Sequence, residues 1–123
     1  MVFTVEGETP PKKNSRINTR SGKSFPSKRY KAWHDASALA LRADLAGGRL
    51  QRIPSECRVK MKCVFFHGDL RSRDSDNQLS SILDLLKDVK IIEDDNWKIV
   101  PEKHVYDVYD KGNARCIVTL ETV

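Results

Sequence analysis

Two aspartates at alternate positions, Asp74 and Asp76, are followed by Asn77 and, further on, by a second acidic pair, Asp94 and Asp95. These are the residues of the chain whose types and spacing could do chemistry. They belong to one stretch, Asp69 to Trp97, which also holds Asp84, Asp88 and Glu93 and is opposed only by Arg71, Arg73, Lys87 and Lys90. Carboxylates crowd together against their own repulsion where something compensates, and a hard divalent cation is the usual compensation. Three carboxylates in one cleft would hold Mg2+, which takes few protein ligands and keeps waters for exchange with substrate. Such an ion activates water and neutralises charge developing on a phosphate.

Other chemistries are poorly served. An EF-hand is excluded, because the loop lacks its central glycine and Leu85 stands where a bidentate glutamate is needed. There is no phosphate-binding loop, so no nucleotide cofactor is expected. His34, His67 and His104 are isolated in sequence and fit no zinc or nucleophile-triad motif, which favours structural or surface roles. Cys57, Cys63 and Cys116 are an odd number in no metal spacing, and their strand-like surroundings read as buried reduced thiols. With no evident Ser or Cys nucleophile, water is the best remaining one.

The 123 residues carry a net charge of +5, with 39% apolar and 32% charged residues, as in one soluble domain spanning residues 1–123. No run approaches the length of a membrane span and MVFTVEGETPPKK lacks a signal-peptide core, so no membrane contact and a cytoplasmic place of work are expected. The positive charge is uneven. Between Thr9 and His34 stand Lys12, Lys13, Arg16, Arg20, Lys23, Lys28, Arg29 and Lys31 with no acidic residue. A block of one sign suits a polyanion such as a phosphate backbone, or simply a solvated loop. Beside the acidic cluster it suggests a division of labour: Lys12, Lys13 and Arg16 hold the backbone and the carboxylates hold the metal. Arg71 and Arg73 fit a phosphate clamp or plain charge balance.

The elements that must position these groups follow from periodicity. MVFTVE reads as a first strand, and residues 8–26 as a basic, mobile polar loop. Ser27 caps a helix to about Ala46, with Ala32, Ala36, Leu39 and Ala43 at helical spacing. Cys57 to His67 alternates as a half-buried strand. A second helix is expected from about Asn77 to Asp88, where Leu79, Ile82, Leu83 and Leu86 share a face, and Asp76 would be its N-cap. Trp97 to Val100 could begin a strand. Lys103–Tyr109 and Ala114–Thr122 read as strands joined in a hairpin through Asp110-Lys111-Gly112-Asn113. Trp33, Tyr30 and Trp97 could stack on bases, but core packing is the favoured role for each. The whole predicts an α+β domain, a mixed β-sheet with two main helices packed on it. The second helix and the loop after it turn the chain back, so Asp94 or Asp95 is expected to meet Asp74 and Asp76.

RDSDNQLSSILDLL followed by IIEDDNW resembles the signature of the RusA family of Holliday junction resolvases, endodeoxyribonucleases often carried by prophages. PPKKNSR and SKRYKAW resemble its phage-borne members. The resemblance implies a homodimer that binds four-way DNA junctions, with Mg2+ or Mn2+, and makes paired nicks; two cation sites in one assembly suit two symmetric cuts. By motif position Asp74, Asp76 and Asp95 match the catalytic aspartates, Asp94 is the neighbour of the last, and Asn77 is the motif asparagine. One departure stands out: where the family often has a lysine, four residues after the second aspartate, this chain has Ser80, which cannot supply positive charge to a phosphate. That departure also fits a second class, a structure-selective DNA-binding protein with weak or no turnover.

Overall fold

The alternating stretch after Cys57 forms the centre of the fold. The computed structural model describes residues 1–12, 16–18, 22 and 24–123, with the side chains of 16–18 and 24–26 left aside. Its elements are β1 (Val2–Glu6), β2 (Arg16–Asn18), β3 (Ser24–Pro26), α1 (Lys28–Ala46), β4 (Val59–His67), α2 (Ser75–Asp88), β5 (Glu102–Tyr109) and β6 (Arg115–Thr122). Four strands form one mixed sheet in the order β1-β6-β4-β5, with β4 and β5 parallel and the other neighbours antiparallel. Every second residue of three strands is buried: Phe3 and Val5, Met61, Cys63 and Phe65, Cys116, Val118 and Leu120. The registers Met61↔Leu120, Cys63↔Val118 and Phe3↔Val118 put these on one face. The helices cover that face with Tyr30, Trp33, Leu41, Ile82, Leu85 and Leu86, giving the expected α+β architecture. Among the described residues no helix is long and apolar enough to cross a membrane.

Both helices form where the periodicity puts them, with local differences. Ser27 caps α1 by accepting the Tyr30 N–H at 3.1 Å. The buried face of α1 is Tyr30, Trp33, Ala38 and Leu41, whereas Ala32, Ala36, Leu39 and Ala43 face solvent. Two aromatic rings gain far more from burial than alanines do, and they decide which face turns inward. Helix α2 begins two residues earlier than expected, and its N-cap is Asp74, not Asp76.

The expected hairpin of the last two strands does not form. Strand β5 lies on one side of β4 and β6 on the other. The Asp110–Asn113 turn steps over the end of β4: Asp110 N donates to the His67 carbonyl and Gly112 N to that of Gly68, both at 2.9 Å. Gly112 has φ +70°, and a Cβ on Gly68 would meet Ala114 at 3.4 Å. Lys12–Pro26 is also more than an aperiodic loop, since β2 and β3 pair within it; the expected mobility of residues 8–26 falls partly outside the described residues. Trp97–Val100 is a turn rather than a strand, and Trp97 is 69% exposed rather than in the core. Cys63 and Cys116 are buried as expected, while Cys57 is half-buried.

Candidate active site

Asp74 and Asp76 sit at the carboxyl ends of the parallel strands β4 and β5, where sheets of this kind commonly place ligands. The chain leaves β4 at His67, and α2 then starts at Ser75. Asp74 is extended (φ −101°, ψ 106°), and its Oδ1 accepts the Asp76 N–H at 3.0 Å. The Asn77 amide donates to its Oδ2 at 3.3 Å. Both carboxylates are exposed, and Asn77 is buried. The first turn of a helix favours negative charge, so two acids are tolerated here.

A polar web fixes this helix start. Ser75 Oγ donates to Asp107 Oδ2 at 2.6 Å. Asp107 Oδ1 lies 2.8 Å from His67 Nε2, and His67 Nδ1 lies 3.0 Å from Glu8 Oε2. Glu8 also meets Arg73 Nε at 3.1 Å and accepts from the Gln78 amide at 2.9 Å. A second Arg73 nitrogen contacts Asp69 at 2.7 Å. The Asp69 carboxyl is held below the usual range, first by the Arg71 backbone N–H and then by the Arg73 guanidinium. Arg73 is thus committed to charge balance, whereas the Arg71 side chain is 82% exposed.

Glu8, Gln78 and Asp107 were not singled out by sequence. Asp107 pairs in register with buried Phe65, yet its side chain stays 44% exposed at the sheet end. His67, isolated in sequence, lies between two carboxylates in the fold.

The second acidic pair is not brought to the first within one chain. Helix α2 runs 14 residues, about 21 Å. Beyond it, Ile91 N bonds back to Leu86 O, and Ile99, just after the acidic turn, is tied to Val59 at the opposite end of β4 from His67. Asp94 Oδ1 accepts the Asp95 N–H at 2.7 Å and Oδ2 accepts from Asn96, a closed turn. The Asp95 N–H, then hydrogen bonding with the Asp95 carboxyl and Asn96, holds the Asp94 carboxyl below its usual range. Among the described residues one group of three has its ligating atoms within 4.8 Å of one another, and it is His34, Asp84 and Asp88. Those residues have partners already: Lys12 Nζ and Tyr30 Oη reach Asp84 at 2.8 and 2.7 Å, and His34 reaches Asp88 at 2.8 Å. Burial alone would push the Asp84 carboxyl up, but hydrogen bonds from Lys12 and Tyr30 outweigh it and hold it down.

Of the other expected groups, Lys12 is the cation just described, Lys13 lies outside the described residues, and so does the side chain of Arg16. Ser80 Oγ turns back to the Asp76 carbonyl at 3.1 Å.

The family model described as "Endodeoxyribonuclease RusA" matches residues 6–121. The chain belongs to the RusA family. A relative from Aquifex aeolicus (strain VF5), the "Crossover junction endodeoxyribonuclease RusA", is 26% identical over 110 residues, covering 89% of this chain and 82% of its own length. The RusA match takes in both helices, β4, β5 and nearly all of β6, but only Glu6 of β1, and Asp74, Asp76, Asp94 and Asp95 all fall inside it.

Proposed function

We propose that the chain is a divalent-metal-dependent endodeoxyribonuclease that resolves four-way DNA junctions by paired symmetric nicks, as a homodimer whose two copies share each site. The observation that carries this reading is the pair of exposed carboxylates, Asp74 and Asp76, held by a polar web at the start of α2 in a RusA-family chain. Two carboxylates with open surroundings fit Mg2+, which is commonly held by one or two carboxylates plus substrate phosphate, and Mn2+ would substitute. When bound, the ion supplies an activated water and neutralises charge on the phosphate.

Asp95, with Asp94 beside it, completes the site from a second copy. Strand β5 is the outer strand of the sheet and exposes Tyr106, Val108 and Tyr109. Two copies meeting antiparallel along β5 would reverse its ends, carrying the Asp94–Asp95 turn of one copy toward the Asp74 end of the other. In this reading Asn77 keeps Asp74 oriented, Arg71 contacts DNA phosphates with Lys13 and Arg16 from the basic segment, and Lys12 joins them only by leaving Asp84.

A gel assay of a synthetic four-way junction, a flap and a linear duplex, with and without Mg2+, tests the reading. Metal-dependent cutting of the junction in preference to the duplex is expected. Ser80, turned back on its own helix, favours the second reading of a junction binder without turnover. Asp74→Asn separates the two, because Asn caps a helix as well as Asp does: it should abolish cleavage and leave junction binding intact. Wild-type protein that binds the junction and leaves it uncut with Mg2+ would establish the binder instead.

A further inference from the structure

A phosphate under attack gathers negative charge, and an aimed cation is worth much there. Most of the cations already discussed are committed elsewhere, and Arg71, largely exposed, already faces Asp69 at 3.8 Å. Arg73 is bonded to Glu8 and Asp69, Lys12 to Asp84, and Ser80 carries no charge. Beside Asp74, however, lies a cavity of about 220 Å³ whose wall includes Thr9, Arg29, Arg71, Asp74 and Gln78. Arg29 makes no hydrogen bond or ion pair among the described residues. It stands in the first turn of α1, which has no acidic residue to offset it, and a cation there opposes the helix dipole. An anion in the cavity would relieve both conditions.

A second observation points to a guest in the same cavity. Gln78 Oε1 and Thr9 Oγ1 are buried without any hydrogen-bond partner, in residues only 1% and 2% exposed. The Gln78 amide nitrogen is fixed on Glu8 and on the Thr9 carbonyl, so the amide cannot turn over to hide the oxygen. Buried polar atoms nearly always find a partner. The Thr9 hydroxyl can donate to a phosphate oxygen, and Gln78 Oε1 can accept from a water that bridges to one.

We infer that Arg29 is the cation that touches the scissile phosphate, reaching it through the cavity whose wall it shares with Asp74. The inference rests on the nuclease reading above. It makes Arg29, on a different element from the carboxylates, a catalytic residue of the same site.

The test uses the full chain with Arg29→Ala and Arg29→Lys. Single-turnover cleavage of a synthetic junction is measured with Mg2+ at saturating protein. Junction affinity is measured for each substitution in the uncleaving Asp74→Asn background. Arg29→Ala should slow cleavage about 100-fold, with affinity changed about threefold or less. Arg29→Lys should recover part of the rate, since lysine keeps the charge and loses the two-pronged geometry. A cleavage rate within about twofold of wild type, or rate and affinity falling in parallel, would overturn the inference, the latter showing an ordinary backbone contact. Wild-type protein that does not cut removes the nuclease reading and this one together. Wild-type protein that cuts, beside an equally fast Arg29→Ala, removes this one alone.

Discussion

Mixing two inactive variants tests the shared site directly. Oxygens bound to one Mg2+ at about 2.1 Å lie no more than about 4.2 Å apart. Helix α2 alone separates the two acidic clusters by about 21 Å, and no side-chain rotation bridges that. If Asp95 serves the metal at Asp74 and Asp76, it does so in another copy. Asp74→Asn and Asp95→Asn should each be inactive as pure dimers. On mixing with subunit exchange, about half of the dimers carry one of each, and in these one site combines both defects while the other is intact. The mixture should regain about one quarter of the wild-type sites. Because a mixed dimer cuts one strand only, the product should be a nicked junction rather than resolved duplexes. The assay is a denaturing gel of end-labelled junction strands, with exchange verified by native mass spectrometry. Mixed dimers present and no cleavage recovered would refute the argument. So would an Asp95→Asn protein that cuts at the wild-type rate.

The polar web at the start of α2 gives a stability prediction. Glu8→Ala leaves Arg73 and His67, whose side chains are 16% and 14% exposed, each short of one carboxylate, and should cost about 1–3 kcal/mol in urea unfolding; an unchanged midpoint would mean that the web does not hold the helix. The low carboxyl of Asp84 gives a pH prediction. Its folded-state value lies below its unfolded one, so its contribution is complete above about pH 3.9 and is lost as pH falls through the folded value. Asp84→Asn should therefore lower stability near neutral pH and flatten the acid limb of the stability curve. Equal slopes for the two proteins in urea titrations at acid pH would contradict this.

Periodicity made both helices and the strands around Cys63 and Cys116 legible, because each buries one regular face. The sequence also marked Asp74 and Asp76, which stand where local sequence puts them, at one helix start. What it could not show was which strands pair. Asp110-Lys111-Gly112-Asn113 has the chemistry of a hairpin turn, and the same chemistry serves a turn that steps over the end of β4. The choice depends on contacts distant in sequence. The web of Glu8, His67 and Asp107 was hidden for the same reason, since its members come from three strands or their ends.

The misread hairpin and the failed meeting of the two acidic clusters have one cause. Once β5 lies parallel to β4, the connection between them must begin at one end of the sheet and finish at the other. Asp74 and Asp76 stand at the beginning of that connection, and Asp94 and Asp95 near its end. The paired stretch from Lys60 to His67 alone spans about 26 Å. With the loop after α2 tied through Ile99 to Val59 at the far end of β4, the three carboxylates do not meet in one copy. The same geometry makes a two-fold partner a natural solution, because reversing β5 exchanges the two ends. If Asp95 completes the site in this way, dilution below the dimer's dissociation constant should extinguish cleavage more steeply than it weakens DNA binding.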